Sequence, residues 1–204
     1  DVDIITAPRS TGSILKPFLY ASMLDDGEIL PQTLIPDIPT QISGYSPQNY
    51  NLTYDGAVPA SRALSRSLNI PSVLMLQDYS VNKFYEQLQK LNLKNINRQP
   101  SNYGLSLILG GAESNLWDLC NAYAYMSSTL THFYNNNNEY RTKELGALNL
   151  YFDEKSDFGK ATRQKNVFGA GAIWQTFNAM KEVNRPQGDE AEMLGQLGLP
   201  KIML

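Results

Sequence analysis

The sequence contains little cysteine and little histidine. Its 204 residues include one cysteine, Cys120, and one histidine, His132. A single residue of each type provides no disulfide framework and no zinc site, so we expect no metal, and we also expect no cofactor. Cys120 lies in an apolar run, which predicts a buried thiol, and His132 borders a polar loop, which predicts a surface residue. A Cys–His pair and a Ser–His–Asp triad are therefore poor candidates for nucleophilic chemistry.

The sequence also lacks an excess of positive charge and any long apolar run. Its net charge is -3, whereas proteins that bind nucleic acid are usually basic, so we expect no nucleic-acid partner. No apolar run approaches the roughly 20 residues of a membrane-spanning helix. A hydrophobic content of 42% predicts a soluble fold with a real core. No signal peptide opens the chain, and residues 1–6 read as a strand entered part-way, which suggests a piece of a longer protein.

What the sequence does contain is mostly helical signal. Apolar periodicity and turn residues predict helices over 13–24, 58–68, 72–78, 81–91, 115–127 and 169–183, with Ser13, Ser80 and Ser114 as N-terminal caps. Residues 28–60 are rich in Pro, Gly, Asn and Tyr and predict a long irregular stretch. Such a stretch is either a binding loop or a loop that packs over the helices for structural reasons. We expect a further loop over 131–144 and strand character over 145–152.

Ser13 and Lys16 form a pair that catalytic serine enzymes use. Residues three apart share one face of a helix, so the hydroxyl and the amine are expected to point the same way. Serine acyltransferases that work without histidine use such a pair as nucleophile and base. The alternative is a capped helix with a solvated lysine. The spacing does not decide, because Ser80 and Lys83 have it as well and are explained by an ordinary helix start.

Ser67 and Asn69 stand on either side of one residue, where residues 69–71 are predicted to break a helix. A break exposes side chains that an unbroken helix hides, so both residues are candidates to contact Lys16 and a substrate amide. The alternative is that Asn69 is a C-terminal cap and that Ser67 is merely exposed.

Several stretches in one order resemble the transpeptidase domain of class A penicillin-binding proteins, and in particular its penicillin-binding protein 1C branch. The stretches are Arg-Ser-Thr-Gly-Ser-Ile-Leu-Lys-Pro-Phe at 9–18, Ser-Pro-Gln-Asn-Tyr at 46–50 with Asp-Gly at 55–56, Ser-Leu-Asn-Ile-Pro at 67–71, Leu-Gly-Gly-Ala-Glu at 109–113, and Ala-Met-Lys-Glu-Val-Asn-Arg-Pro at 179–186. The resemblance implies a mainly α fold: the helical lobe of the α+β penicillin-binding and serine β-lactamase-like transpeptidase fold, with an incomplete sheet. It implies a partial transpeptidase domain over 1–188 and an unassigned tail over 189–204.

The resemblance also implies a role for each of four residues. Ser13 would attack the D-Ala–D-Ala carbonyl of a peptidoglycan stem peptide, and its N–H group would supply half of an oxyanion hole. Lys16 would be the general base and must be neutral to act, as burial near polar groups would allow. Ser67 would relay a proton to the leaving amine. Asn69 would hold Lys16 and hydrogen-bond the substrate. β-Lactam antibiotics would acylate Ser13.

One motif of that family is missing. Its third motif, Lys-Thr-Gly or Lys-Ser-Gly on a strand that lines the cleft, occurs nowhere in the chain. We therefore expect this chain to be inactive by itself. The parent protein is expected to be membrane-anchored with a glycosyltransferase domain, at the periplasmic or extracytoplasmic face of the inner membrane. A non-catalytic lobe that binds cell-wall peptide or a partner protein is the alternative. A serine β-lactamase is a third option, but the sequence shows no motif for a deacylating carboxylate.

Overall fold

The structure, a computed structural model, describes residues 3–42, 44–145 and 156–183. The α-helices of this part are α1 Lys16–Asp25, α2 Ala60–Ser65, α3 Asn69–Tyr79, α4 Val81–Lys90, α5 Pro100–Tyr103, α6 Leu116–Asn135 and α7 Ala170–Lys181, and a 3-10 helix spans Gly104–Leu109. The strands are β1 Arg9–Ser10, β2 Leu34–Asp37, β3 Gly56–Pro59, β4 Glu113–Ser114, β5 Tyr140–Arg141 and β6 Ala161–Thr162. They pair as three antiparallel two-stranded sheets, β1 with β4, β2 with β3 and β5 with β6.

Helix α1 is the centre of the molecule. Every side chain from Lys16 to Met23 is buried, and the helix contacts α2, α3, α4 and α7. A helix that is apolar on all sides is stable only where neighbours cover it completely. Burial of Phe18 and of Leu19 contributes about 1.5–3 kcal/mol each. Lys16, as the first residue of this helix, is therefore carried into the interior together with its apolar neighbours.

The predicted mainly helical fold with an incomplete sheet is confirmed, but three details at helix ends were wrong. α1 begins at Lys16 and not at Ser13, because residues 12–15 form turns in which Ile14 N–H donates to the Thr11 carbonyl at 3.0 Å. Ser80 has no capping hydrogen bond from its side chain and takes φ +82°. The cap of α6 is Asn115, whose side chain accepts the Asp118 N–H at 2.7 Å.

Helix α6 is longer than the sequence pattern predicted. It runs through residues 128–135, which include part of the predicted loop over 131–144. Leu130 continues the apolar face of the helix and packs against the core. The helix ends where the asparagine run takes positive φ, at Asn137 and Asn138. Apolar contacts of α6 therefore outweigh the turn preference of the asparagines at its end.

Three further predictions were wrong. In the described part of the predicted strand over 1–6, residues 4–6 form bends instead, because the Asp3 carboxylate accepts the N–H groups of Ile5 and Thr6 and offers the backbone a local alternative. Cys120 is exposed. His132 is part-buried, with Nδ1 2.8 Å from Oε1 of the buried Glu144.

Some predictions fall on residues that the structure does not describe. The predicted strand over 145–152 lies outside the described residues except for its first position, and so do the boundary at residue 188 and the tail over 189–204. None of the helices in the described ranges has the length and hydropathy that crossing a membrane would require.

Candidate active site

The amine of Lys16 lies in a pocket of uncharged oxygens. The side chain is 3% exposed. Its Nζ donates to the Ser67 carbonyl at 2.7 Å and to the Asn69 Oδ1 at 2.8 Å. The Ser67 Oγ lies at 3.2 Å and the Leu68 carbonyl at 3.4 Å. The structure thus brings together three of the four predicted site residues, Lys16, Ser67 and Asn69.

The surroundings of Lys16 favour the neutral amine. Burial lowers the pKa of Lys16 from 10.5 to about 7, because the charged form loses hydration and gains no anionic partner. Lys83, three residues after Ser80, shows the opposite effect. Its exposed amine contacts the Glu28 carboxylate at 2.5 Å, and this contact raises the pKa of Lys83. The two Ser–Lys pairs have the same spacing in the sequence, but the pKa values of their lysines shift in opposite directions. Of these two lysines, only Lys16 is suited to accept a proton near neutral pH.

The oxygens around Lys16 come from a short turn between α2 and α3. α2 ends at Ser65 and α3 begins at Asn69, so the break precedes Asn69 instead of occupying residues 69–71. Within the turn, Ser67 takes φ +52°, a left-handed conformation that is uncommon for a residue with a Cβ atom. In this conformation both the carbonyl and the hydroxyl of Ser67 lie within hydrogen-bond distance of the Lys16 amine. Such backbone strain is typically found where a functional geometry requires it.

Asn69 is held at three points. Its Oδ1 accepts from Lys16, its Nδ2 donates to the Gln48 carbonyl at 2.9 Å, and its N–H donates to Asn49 Oδ1 at 3.0 Å. The reading of Asn69 as a C-terminal cap was wrong, because it opens a helix and its side chain holds the lysine. Gln48 and Asn49 belong to the long irregular stretch over 28–60, which therefore supports the site.

Ser13 lies in the exposed loop that leads into α1. Its hydroxyl has no hydrogen-bond partner among the residues that the structure describes. The loop itself is anchored on both sides. Before Ser13, the N–H and hydroxyl of Thr11 donate to the Ala112 carbonyl at 3.0 and 3.2 Å. After it, the Ile14 carbonyl accepts the Tyr123 hydroxyl at 2.8 Å. Ser13 is accordingly an accessible hydroxyl on a fixed loop, three residues ahead of the buried amine.

Gly110 packs against the loop that carries Ser13. It takes φ +100°, and a Cβ at this position would lie 2.7 Å from Ser10 Oγ and 3.0 Å from the backbone N and Cα of Gly12. Ser10 Oγ also donates to the Gly110 carbonyl at 2.9 Å. The loop that carries Ser13 therefore packs directly on Gly110, and this contact leaves no room for a side chain.

Sequence reasoning did not assign a role to Asn49, Gly110 or Tyr123. Asn49 and Gly110 lie in stretches that carry the family resemblance, and the double glycine was a signal for close backbone packing. Tyr123 gives no signal in the sequence beyond an apolar helix face. Within the described ranges, no cluster of three or more His, Cys, Asp or Glu side chains is arranged to hold a metal ion.

Solved structures show the same fold. The chain superimposes on the TP domain of penicillin-binding protein 3 from Burkholderia pseudomallei with a TM-score of 0.67 at 16% identity, over 92% of this chain and 57% of that one. It is also similar to penicillin-binding protein 1A from Haemophilus influenzae, with a TM-score of 0.52 at 26% identity over 60% of this chain and 19% of that one. The fold is therefore that of a penicillin-binding protein transpeptidase domain.

Sequence comparison places the chain in one family. The family described as the penicillin binding protein transpeptidase domain matches residues 2–196, and the chain belongs to it. Penicillin-binding protein 1C of Escherichia coli is 32% identical over 201 residues, which are 98% of this chain. The chain spans 23% of the length of that relative. The resemblance to class A penicillin-binding proteins and to their 1C branch is thus confirmed.

Proposed function

We propose that this chain carries the acyl-transfer site of a peptidoglycan D,D-transpeptidase, with Ser13 as the nucleophile. The observation that supports this most is the buried Lys16 amine, whose pKa is lowered to about 7 and which Ser67 and Asn69 hold through uncharged oxygens. A general base works best when its pKa lies near the working pH. At pH 7 about half of the Lys16 amines are neutral if the pKa is about 7.

In the proposed acylation step, the neutral Lys16 amine takes the proton of the Ser13 hydroxyl while Oγ attacks the carbonyl carbon between the two D-Ala residues. The tetrahedral intermediate collapses when the C–N bond breaks, and the terminal D-Ala departs with a proton that passes from Lys16 through Ser67. An ester on Ser13 remains. The amine of a neighbouring stem peptide then attacks this ester, which forms the cross-link and returns the proton to Ser13. Asn69 keeps the Lys16 amine in place and hydrogen-bonds the substrate backbone.

The oxyanion of the intermediate needs at least two donors. The N–H group of Ser13 is one, and in the part of the chain that the structure describes it donates to no other group. The second donor is expected on a strand with the Lys-Thr-Gly motif, which this sequence does not contain. Loss of one such donor typically costs about 10²–10³ in rate. The isolated chain is therefore expected to acylate slowly or not at all.

The parent protein is proposed to be membrane-anchored, to include a glycosyltransferase domain, and to act on stem peptides at the extracytoplasmic or periplasmic face of the inner membrane. These assignments rest on the similarity to class A penicillin-binding proteins. β-Lactams resemble the D-Ala–D-Ala end and would acylate the same Ser13 hydroxyl.

Labelling with a fluorescent penicillin tests this proposal. The parent protein is expected to become labelled at Ser13, the Ser13→Ala variant to remain unlabelled, and the Ser80→Ala variant to label normally. Ser80 is the matched control because it has the same spacing to a lysine. Labelling that persists in the Ser13→Ala variant would overturn the assignment of the nucleophile. Robust labelling of the 204-residue chain at micromolar probe would overturn its expected inactivity.

The second candidate function is a non-catalytic lobe that binds cell-wall peptide. The absence of the third motif from the sequence favours it for this chain alone. Binding of a D-Ala–D-Ala peptide to the isolated chain, equally strong in the wild type and in the Ser13→Ala variant, would support this function.

A further inference from the structure

Asn49 uses every hydrogen-bonding position of its side chain. Oδ1 accepts the N–H groups of Asn69 at 3.0 Å and Ile70 at 3.3 Å. Nδ2 donates to the Asp37 carboxylate at 2.7 Å and to the Thr53 carbonyl at 3.0 Å. An amide side chain has two donor and two acceptor positions, so none is left unused. The residue is 2% exposed, so solvent does not compete for these bonds in the folded chain.

These contacts provide helix α3 with a cap from a distant part of the chain. The first N–H groups of a helix have no partner within it, and the residue before α3 is Leu68, which has no side-chain oxygen. Asn49 supplies that oxygen from 20 residues upstream of Asn69. The N-terminus of α3 is thereby fixed to the loop over 28–60.

The same contacts fix the turn that surrounds Lys16. Ser67 and Leu68 provide three of the four oxygens that lie within hydrogen-bond distance of the Lys16 amine, and Asn69 provides the fourth. This turn ends at the Asn69 N–H group, which Asn49 holds. Because Ser67 is kept at positive φ, the turn needs an external restraint to persist in this form.

Asp37 determines which way round the amide of Asn49 lies. Asp37 is 1% exposed, and its carboxylate accepts from Asn49 Nδ2 and from the Asp55 N–H at 3.0 Å. A carboxylate accepts and does not donate, so the NH₂ end of Asn49 must face Asp37 and the oxygen must face α3. Asp55 also forms an ion pair with Arg66, the residue before Ser67, so the network reaches the residue that precedes the turn.

We propose that Asn49, oriented by Asp37, is a positioning residue for the acyl-transfer site: it holds the turn over 67–69 against Lys16. Its importance for catalysis rests on the proposed function, but its effect on Lys16 does not. Without Asn49 the turn is free to relax and water reaches the amine. The pKa of Lys16 then returns toward its ordinary value, because burial is the cause of its lowering.

The test is a titration of Lys16 in the 204-residue chain, labelled with ¹³C-lysine and followed by the ¹³Cε chemical shift, with the Lys16 signal assigned by Lys16→Met. The wild-type midpoint is expected at a pH of about 7. Asn49→Ala is expected to raise it by about one pH unit or more. Asp37→Asn keeps the packing and removes one of the two acceptor oxygens of Asp37. It is expected to raise the Lys16 midpoint by less than Asn49→Ala does. This second variant decides the matter if Asn49→Ala does not fold.

Asn115→Ala is the matched control, because Asn115 also caps a helix, α6, and makes no contact with Lys16. It is expected to lower the melting temperature and to leave the Lys16 midpoint unchanged. A Lys16 midpoint that stays in place in the folded Asn49 and Asp37 variants would overturn the proposal. A shift of equal size in Asn115→Ala would overturn it as well, since the effect would then be general loss of stability. The titration involves no catalytic step, so it tests the role of Asn49 independently of the proposed function. Failure of the proposed function would instead be seen in the labelling of Ser13.

Discussion

The amine of Lys16 lies 2.8 Å from the Oδ1 atom of Asn69, although 53 residues separate them in the chain. The partner is an amide and not a carboxylate, so the contact holds the amine without placing a negative charge beside it. An acidic side chain at the same place would form a stronger bond but would keep the proton on the lysine. Burial lowers the pKa of Lys16, and the choice of asparagine adds no negative charge that would raise it again.

Asn69→Asp is expected to raise the pKa of Lys16 and to slow acylation near neutral pH. A carboxylate within hydrogen-bonding distance typically moves the pKa of such a partner by about 1–3 units. At pH 7 the neutral fraction of Lys16 would fall from about half to about 10% or less. The measurement is the rate of β-lactam acylation of the parent protein against pH, in which the rising limb should move to higher pH. Asn82→Asp, beside the exposed Lys83, is the control and should leave the profile unchanged.

The stability of the chain is expected to increase with pH above pH 7 because of Lys16. The pKa of Lys16 is about 7 in the folded chain and 10.5 in the unfolded chain. Between these two pH values the unfolded state therefore binds more protons than the folded state. The free energy of unfolding then rises with pH, with a slope of up to about 1.4 kcal/mol per pH unit from this one group. In urea unfolding at pH 7.5–9, the free energy of unfolding should rise less steeply with pH in Lys16→Met than in the wild type. Parallel curves for the two proteins would mean that Lys16 keeps an ordinary pKa.

Sequence reasoning found Lys16, Ser67 and Asn69 but not the way in which they meet. The residue types and their order pointed to the family, and the family implied their proximity. Helix periodicity could not show it, because the contact depends on a turn with Ser67 at positive φ and on a helix that starts three residues later than Ser13 suggested. Such backbone details are decided by tertiary contacts, which a local pattern does not contain.

Asn49 and Gly110 illustrate the same limit. The sequence showed a loop with an asparagine and a pair of glycines, and both features are common in turns. Only the fold reveals that the asparagine caps a helix 20 residues away and that Gly110 touches the loop of Ser13. The spacing from serine to lysine, by contrast, was visible but not specific, since Ser80 and Lys83 have the same spacing at a helix start where the exposed Lys83 pairs with Glu28.

Gly110→Ala is expected to destabilise the chain and to disturb Ser13. The new Cβ would lie 3.0 Å from two backbone atoms of Gly12, and alanine would have to adopt φ +100°. Strain of this kind costs about 1–3 kcal/mol. Unfolding experiments should show this loss, and the parent protein should acylate more slowly. Gly171→Ala is the control, because open space surrounds that position at the start of α7, and a gain of up to about 1 kcal/mol is expected there. Equal behaviour of the two variants would contradict the packing of this loop on Gly110.

Ser67→Gly is expected to separate the chemistry of Ser67 from its structural role. Glycine adopts φ +52° without strain, which offsets its greater freedom in the unfolded chain, so the free energy of unfolding should stay within about 1 kcal/mol of the wild type. The hydroxyl that lies 3.2 Å from the Lys16 amine is lost, however. Removal of a proton relay typically costs about 10²–10⁴ in rate, so cross-linking by the parent protein should fall by that order. Ser80→Gly, at φ +82°, gives the same relief of strain away from the site and should retain full activity. A Ser67→Gly variant that cross-links at the wild-type rate would show that the turn needs the backbone of Ser67 and not its hydroxyl.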